Sequence, residues 1–103
     1  MSSTEVLQRF ETLDREAEIL VNKISEKEEL LMKLTRLLQQ VPESTSIYGL
    51  WSYDECRIKA FDQIIAGVIS TIEPLKARIQ QINIMRVQVL LGEIKKEIEH
   101  ILH

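Results

Sequence analysis

One thiol and two imidazoles are the side chains with the most obvious capacity for chemistry: Cys56, His100 and His103. Cys56 falls in the first turn of a predicted helix, where the helix dipole lowers the pKa of a thiol, but no histidine or second cysteine lies near it in the sequence. The two histidines are three residues apart and share a helix face, yet a metal site needs more than two ligands. We predict no catalytic residue, no metal and no cofactor, and interpret Cys56 as a half-buried structural residue.

A second catalytic possibility rests on two acidic residues and one arginine. Leu13-Asp14 before an apolar stripe, with Asp54 and Arg57 further along, superficially resembles the small all-helical chorismate mutases. That resemblance implies a dimer that stabilises a dicarboxylate, which requires several inward-facing Arg and Lys side chains. The predicted inward line of the first helix offers Lys27 alone among these apolar residues: Leu20, Ile24, Leu31 and Leu34. We expect a non-enzymatic protein and keep this enzyme class as a remote alternative.

The residues best suited to binding lie in an uncharged stretch, residues 47–53, which we call the aromatic loop. It holds the only tryptophan and both tyrosines of the chain. Tryptophan and tyrosine are the residues most often found as anchors of protein interfaces. The candidate partner-binding residues are Ile47, Tyr48, Leu50, Trp51 and Tyr53. These side chains either seal the end of a helical bundle or contact a partner, and the sequence leaves both uses open.

A heptad stripe predicts a long first helix over about residues 3–41. Ser2 and Glu5 fit a capping box at its start, and Pro42 ends it because a proline disfavours the helical conformation of the residue before it. The stripe runs through Val6, Phe10, Leu13, Ala17, Leu20, Ile24, Leu31, Leu34, Leu38 and Val41. Lys27 takes the remaining stripe position. Its amine either reaches water or pairs with a carboxylate across the seam.

A second helix is predicted over about residues 53–102, after a loop at 42–52. Ser52 and Glu55 form its capping box. Its stripe runs through Ile58, Phe61, Ile65, Val68, Ile72, Leu75, Ile79 and Ile82. Pro74 removes a backbone hydrogen bond, so it should kink or break this helix. The alternation of apolar residues over 82–91 would also suit a short strand.

From Val87 a further stripe runs out of register with the first, through Val87, Leu91, Ile94, Ile98 and Ile101. A helix that is apolar over a wide arc needs two neighbours. We therefore predict an all-α fold: a long antiparallel helical hairpin with coiled-coil-like packing, paired with a second copy as a dimeric bundle. The candidate interface residues are Ile65, Val68, Ile72, Ile82, Ile84, Val87, Leu91 and Ile94. The alternative is a monomeric three-helix bundle folded at Pro74.

The composition excludes several classes of function. The 103 residues carry a net charge of −3 with no basic block, so we expect a single helical domain over residues 1–103 that binds no nucleic acid. No apolar run is long enough to span a bilayer, and the charges are too evenly mixed for a helix on a membrane surface. One cysteine excludes an internal disulfide, and the N-terminus has no secretory signal. We expect an intracellular protein, cytoplasmic or nuclear.

Two parts of the chain resemble one family. Leu13-Asp14, Glu16, Glu18-Ile19-Leu20 and the run EKEELLM at 26–32 are similar to the first helix of the BAG2-type co-chaperones. The run TIEPLKARI at 71–79 is similar to the region that leads into the dimeric module of that family. This resemblance implies binding of an Hsp70-class chaperone through the second half of the chain. The aromatic loop has no counterpart in that family.

From these patterns we predict a helical protein–protein interaction module, which acts as an adaptor, a scaffold or a subunit of a coiled-coil assembly. Its partners would be proteins, in a homodimer or a helical hetero-complex, and they would add helices to an exposed apolar stripe. The co-chaperone is the alternative.

Overall fold

Two long helices make up nearly all of the described structure. The computed structural model describes residues 3–42 and 48–102, in which α1 spans Ser3–Gln39 and α2 spans Tyr53–Leu102. The helices have 37 and 50 residues and pack against each other in opposite directions. The predicted all-α helical hairpin is confirmed. The short strand considered for residues 82–91 is wrong, because that segment is helical throughout.

Both helix ends next to the loop follow the local sequence. Gln40 N–H donates to the Leu37 carbonyl at 3.2 Å and Val41 N–H to the Leu38 carbonyl at 3.1 Å, so the last turn of α1 tightens just before Pro42. At the start of α2, Ser52 Oγ accepts a hydrogen bond from the Glu55 N–H at 3.2 Å. The predicted cap of α2 is confirmed. The capping box predicted for α1 involves Ser2, which lies outside the described residues.

The predicted stripes form the seam between the helices. Every member of both stripes is buried or half-buried, and Lys27 is half-buried with them. Among the described residues, the buried apolar side chains are Val6, Leu13, Ile24, Ile72 and Ile82, and Ile82 is fully buried. Apolar burial of this kind is the main favourable term in folding, and a helix as rich in charge as α1 depends on it because helix propensity alone contributes little.

The helix α2 continues through Pro74 without a break. Pro74 has no N–H to offer the carbonyl four residues earlier. In the turn before it, Ser70 Oγ donates to the Gly67 carbonyl at 2.7 Å and Thr71 Oγ1 donates to the Val68 carbonyl at 2.6 Å. These two hydroxyls therefore bond to their own helix and do not cap a new one. The three-helix bundle folded at Pro74 is wrong.

The chain divides into two compact units. One unit comprises residues 1–23 and 75–103, and the other comprises residues 24–74. The first contains the buried residues Val6, Leu13 and Ile82. The second contains Ile24 and Ile72 together with the loop end of the hairpin. The expectation of a single domain stays a prediction.

Candidate interaction surfaces

The aromatic loop leaves its large side chains in solvent. Tyr48 is fully exposed, and Leu50 and Trp51 are 78% and 55% exposed. Tyr53, the first residue of α2, is exposed as well. Ile47 lies outside the described residues. The four described members of this candidate set therefore do not seal the end of the hairpin, and they remain available for contact.

The backbone and one cation shape the aromatic loop further. Tyr48 and Gly49 both have positive φ, 55° and 78°. Glycine adopts this left-handed conformation at little cost, whereas it is uncommon for a tyrosine. The Lys59 ammonium lies 5.6 Å from the centre of the Trp51 ring, within range of a cation–π contact. One side of the Trp51 ring thus contacts Lys59 near the start of α2, while more than half of the side chain faces solvent.

The second apolar stripe of α2 is exposed along its length. We call it the outer stripe, and it consists of Ile84, Val87, Leu91, Ile94, Ile98 and Ile101. At about 100° per residue, these positions lie roughly 100 to 180° around the helix from Ile82, and α1 leaves all six exposed. Leu90 and Leu102 flank the stripe and are exposed too. Contiguous exposed apolar surface of this kind marks an interaction site more often than scattered single residues do.

The same face of α2 is polar or small upstream of Ile84. Continuing the spacing of three and four backwards gives Lys59, Gln63, Ala66, Ser70, Glu73, Ala77 and Gln80. All seven are exposed, and none is a large apolar residue. The seam face of α2 changes from apolar to mostly charged at the same point. Beyond Ile82 the seam positions are Arg86, Val89, Glu93 and Lys96. From Ile84 onwards the apolar residues of α2 are therefore concentrated on the face that α1 leaves open.

The predicted interface residues separate into two groups in the structure. Ile72 and Ile82 are buried and Ile65 and Val68 are half-buried in the seam, so the hairpin itself uses them. The other four belong to the outer stripe: Ile84, Val87, Leu91 and Ile94. Ile98 and Ile101 were not among the candidates, although the out-of-register stripe contained both of them.

A bidentate ion pair joins the helices within the first unit. Arg78 Nε and Nη2 donate to the two carboxylate oxygens of Glu16, at 2.8 and 3.1 Å. Arg78 Nη1 also donates to Gln81 Oε1 at 3.3 Å. The hydrogen bond from the Arg78 guanidinium lowers the pKa of Glu16, and the carboxylate in turn raises the pKa of Arg78. Sequence analysis missed this pair, because two charges that are 62 residues apart give no local signal.

Arg86 makes a second interhelical contact. Its Nε lies 2.9 Å from Asp14 Oδ1, and its guanidinium carbon lies 4.8 Å from the centre of the Phe10 ring. Nε is buried, and its N–H is not aligned for a hydrogen bond with the carboxylate. We interpret the short distance as an ion pair whose geometry the ring contact constrains. The sequence does distinguish this residue, because Arg86 is the single charged residue between residues 79 and 91.

These contacts bear on the electrostatic catalysis that the chorismate mutases require. Arg78 and Arg86 do face the seam, which the sequence analysis did not foresee, but each of them is next to a carboxylate of α1. The Lys27 amine donates to Thr71 Oγ1 at 3.0 Å. Its partner is therefore a hydroxyl, so of the two alternatives for Lys27 the pairing with a carboxylate is wrong. Each of these three cations therefore makes a contact between α1 and α2.

The pair of Glu16 and Arg78 makes stability depend on pH. Because the folded pKa of Glu16 lies below its ordinary value of 4.5, the stabilisation is present above that pH and is lost as the pH falls through the folded pKa. We expect Glu16→Gln to flatten the fall in unfolding free energy between about pH 6 and about pH 3. Urea unfolding at each pH measures this.

Glu29→Gln is the matched control for that measurement. Glu29 pairs with Lys33 at 3.6 Å on the surface, with both side chains about two-thirds exposed, so the pair is screened by solvent. This variant should keep the wild-type dependence on pH. Identical pH profiles for Glu16→Gln and the wild type would contradict the prediction.

The remaining surface features offer little chemistry. Cys56 is exposed, so its interpretation as a half-buried structural residue is wrong. Over residues 3–42 and 48–102, no cluster of three or more metal-ligating side chains occurs. An open groove of about 360 Å³ lies within the first unit, lined by Val6, Arg9, Met85, Gln88, Val89, Gly92, Glu93 and Lys96. Its lining mixes apolar surface with charges of both signs and does not define one ligand.

Two further findings concern membrane spans and known proteins. No helix in the described parts of the chain is long and apolar enough to cross a membrane. In comparisons with protein-family models, curated proteins and solved structures, the chain gives no match.

Proposed function

We propose that this chain is a non-enzymatic helical interaction module, an adaptor or subunit that binds proteins through the outer stripe and the aromatic loop. Its partners are a second copy of the chain or another helical protein, and it works inside the cell, in the cytoplasm or nucleus. The single exposed thiol, Cys56, supports a reducing compartment, where thiols stay free.

The observation that carries this proposal is the change at Ile84. Before it, the outward positions of α2 are polar or small, as expected for a helix whose back faces water. From Ile84 to Ile101 all six outward positions are large and aliphatic. Burying such a side chain completely from water contributes about 1.5–3 kcal/mol. These six are 47 to 81% exposed, so a partner that covered the outer stripe would still gain a large part of that free energy from each of them.

The aromatic loop is the second binding element. Trp51 and Tyr48 present large rings with few rotatable bonds, so their ordering on binding costs little entropy. The contact between Lys59 and Trp51 orients the indole before any partner arrives. The loop sequence supplies no charge, so we assign it an apolar or aromatic contact.

Affinity capture with matched variants tests the proposal. The full chain serves as bait in a lysate of its own cells, beside Leu91→Glu/Ile94→Glu in the outer stripe and Trp51→Ala in the loop. Ile19→Glu/Met32→Glu is the control, because these α1 residues are 56% and 57% exposed and lie outside both surfaces. We expect some captured proteins to be retained by the wild type and by the control. At least one of the two surface variants should lose these proteins.

Stability separates binding from folding in this experiment. Trp51→Ala should leave the melting temperature within a few degrees of the wild type, since more than half of the side chain is already in solvent. Captured proteins that are identical for all four chains would contradict the proposal. So would a large loss of melting temperature for Trp51→Ala, because the ring would then be structural.

A BAG2-like co-chaperone function is a second candidate, favoured by the position of the outer stripe. The resemblance assigns chaperone contact to the second half of the chain, where this stripe lies. An Hsp70-class chaperone retained by the wild type and lost by Leu91→Glu/Ile94→Glu would support it. Purified Hsp70 nucleotide-binding domain that fails to bind the wild type would exclude it.

A further inference from the structure

We infer that the outer stripe is a contact between two copies of this chain, in which α2 of one copy packs against α2 of the other in the opposite direction. The inference rests on the proposed function, because it names the partner of the same surface. α1 covers the seam side of α2 and leaves the outer stripe exposed, so α2 can pack against α1 and against another copy at the same time.

The available area matches a dimer. The outer stripe with its flanking residues Leu90 and Leu102 presents eight aliphatic side chains that are 42 to 81% exposed. Covering them would remove on the order of 800 Å² from each copy, which is the share of one partner in an interface of standard size. A smaller partner that touched only one or two turns would leave most of this apolar surface in water.

The stripe is complementary to itself. In an antiparallel pairing centred between residues 92 and 93, Ile84 meets Ile101 of the other copy, Val87 meets Ile98, and Leu91 meets Ile94. All six layers then join two aliphatic side chains. A different partner would have to supply a second stripe of the same length and spacing, whereas another copy carries one by construction.

The flanking charges permit the pairing of identical chains. Like charges that face each other across an interface are destabilising. In the antiparallel register, Gln88 lies beside Lys95 of the other copy, and Leu90 lies beside Glu97. No like-charged pair is brought together along the edges of the stripe.

The side-chain shapes favour the antiparallel direction. A parallel two-stranded coil prefers β-branched residues at one stripe position and leucine at the other, and β-branched residues at both shift it to three or four strands. Here Ile84, Leu91 and Ile98 occupy one position and Val87, Ile94 and Ile101 the other. Antiparallel packing mixes the two positions in every layer and brings opposite helix dipoles together.

Molecular mass in solution tests the number of copies. We expect light scattering to give twice the chain mass of 12.0 kDa for the wild type and for Ile19→Glu/Met32→Glu. Leu91→Glu/Ile94→Glu should weaken dimerisation more than about a hundredfold, because four carboxylates would meet in the central layers without partners. Circular dichroism of the same samples checks that this variant is folded.

A distance between spin labels tests the direction independently of that variant. Gln80 is exposed near the start of the stripe, so Gln80→Cys in a Cys56→Ser background takes one label per chain. At about 1.5 Å per residue, the antiparallel register separates the two labels by roughly 40 Å, whereas a parallel pair holds them within about 20 Å.

The outcomes separate the inference from the proposed function. A wild-type mass of one chain up to about 100 µM, a concentration above the Kd of most specific dimers, overturns the inference. A mass of three or four chains, or a label distance near the parallel value, also overturns it. If the chain is monomeric but the outer stripe still captures other proteins, the proposed function stands and only the second copy falls.

Discussion

Replacing Ile82 with alanine is expected to lower the free energy of unfolding by about 3 kcal/mol, within the range for large-to-small changes in a core. Ile82 has no exposed surface at all. The substitution removes buried methyl and methylene groups, and the surrounding side chains of the two helices close the resulting space only in part. Urea unfolding at one fixed protein concentration measures the loss, since a dimer makes stability depend on concentration.

Ile19→Ala is the control for this prediction. Ile19 has the same side chain as Ile82 but is 56% exposed on α1, so the change should stay within about 0.5 kcal/mol of the wild type. Equal losses for the two variants would mean that the seam does not carry the stability of the hairpin.

Reversing the charge of Arg86 is expected to have the next largest effect. Arg86→Glu loses the ion pair with Asp14, places a carboxylate next to another carboxylate, and puts a negative charge against the face of Phe10. The face of an aromatic ring carries partial negative charge, so it attracts a cation and repels an anion. We expect a loss of roughly 2 kcal/mol in unfolding free energy, because three unfavourable changes act at a half-buried position.

A double variant separates the two parts of that effect. Asp14→Arg combined with Arg86→Glu restores the opposite charges but not the cation over Phe10, so we expect a partial recovery. Lys33→Glu is the control, because its pair with Glu29 is exposed and should change stability by less than about 0.5 kcal/mol. A full recovery would show that the ring contact contributes nothing. No recovery would show that Asp14 and Arg86 do not pair.

Local signals in the sequence are sufficient to predict the two helices. Pro42 and the cap formed by Ser52 determine where the chain leaves α1 and enters α2, and both act over a few residues. The stripes determine which face of each helix is buried, because the period of a helix converts spacing into direction. Even the second stripe of α2 was visible as a change of register after Ile82.

The tertiary structure decided how α2 uses its two stripes. Spacing shows that a face is apolar but not what covers it, so the sequence predicts Ile72 and Ile84 as members of one interface. Packing separated them, since α1 takes the seam and leaves the outer stripe exposed. The contacts of Glu16 with Arg78, Asp14 with Arg86 and Lys27 with Thr71 arise in the same way, from residues that only the paired helices bring together.

The helix α2 continues through Pro74, so the predicted break does not occur, whereas the predicted kink stays a prediction. A proline costs a helix about 3 kcal/mol, which is why the local sequence predicts a kink or a break. The seam residues on both sides of Pro74, Ile72 and Leu75, are buried or half-buried in one stripe. The sequence by itself determined where the helices are and which faces are apolar. Only the packing of α1 against α2 decided which apolar face is buried and which stays exposed. That outcome depends on contacts between residues far apart in the chain.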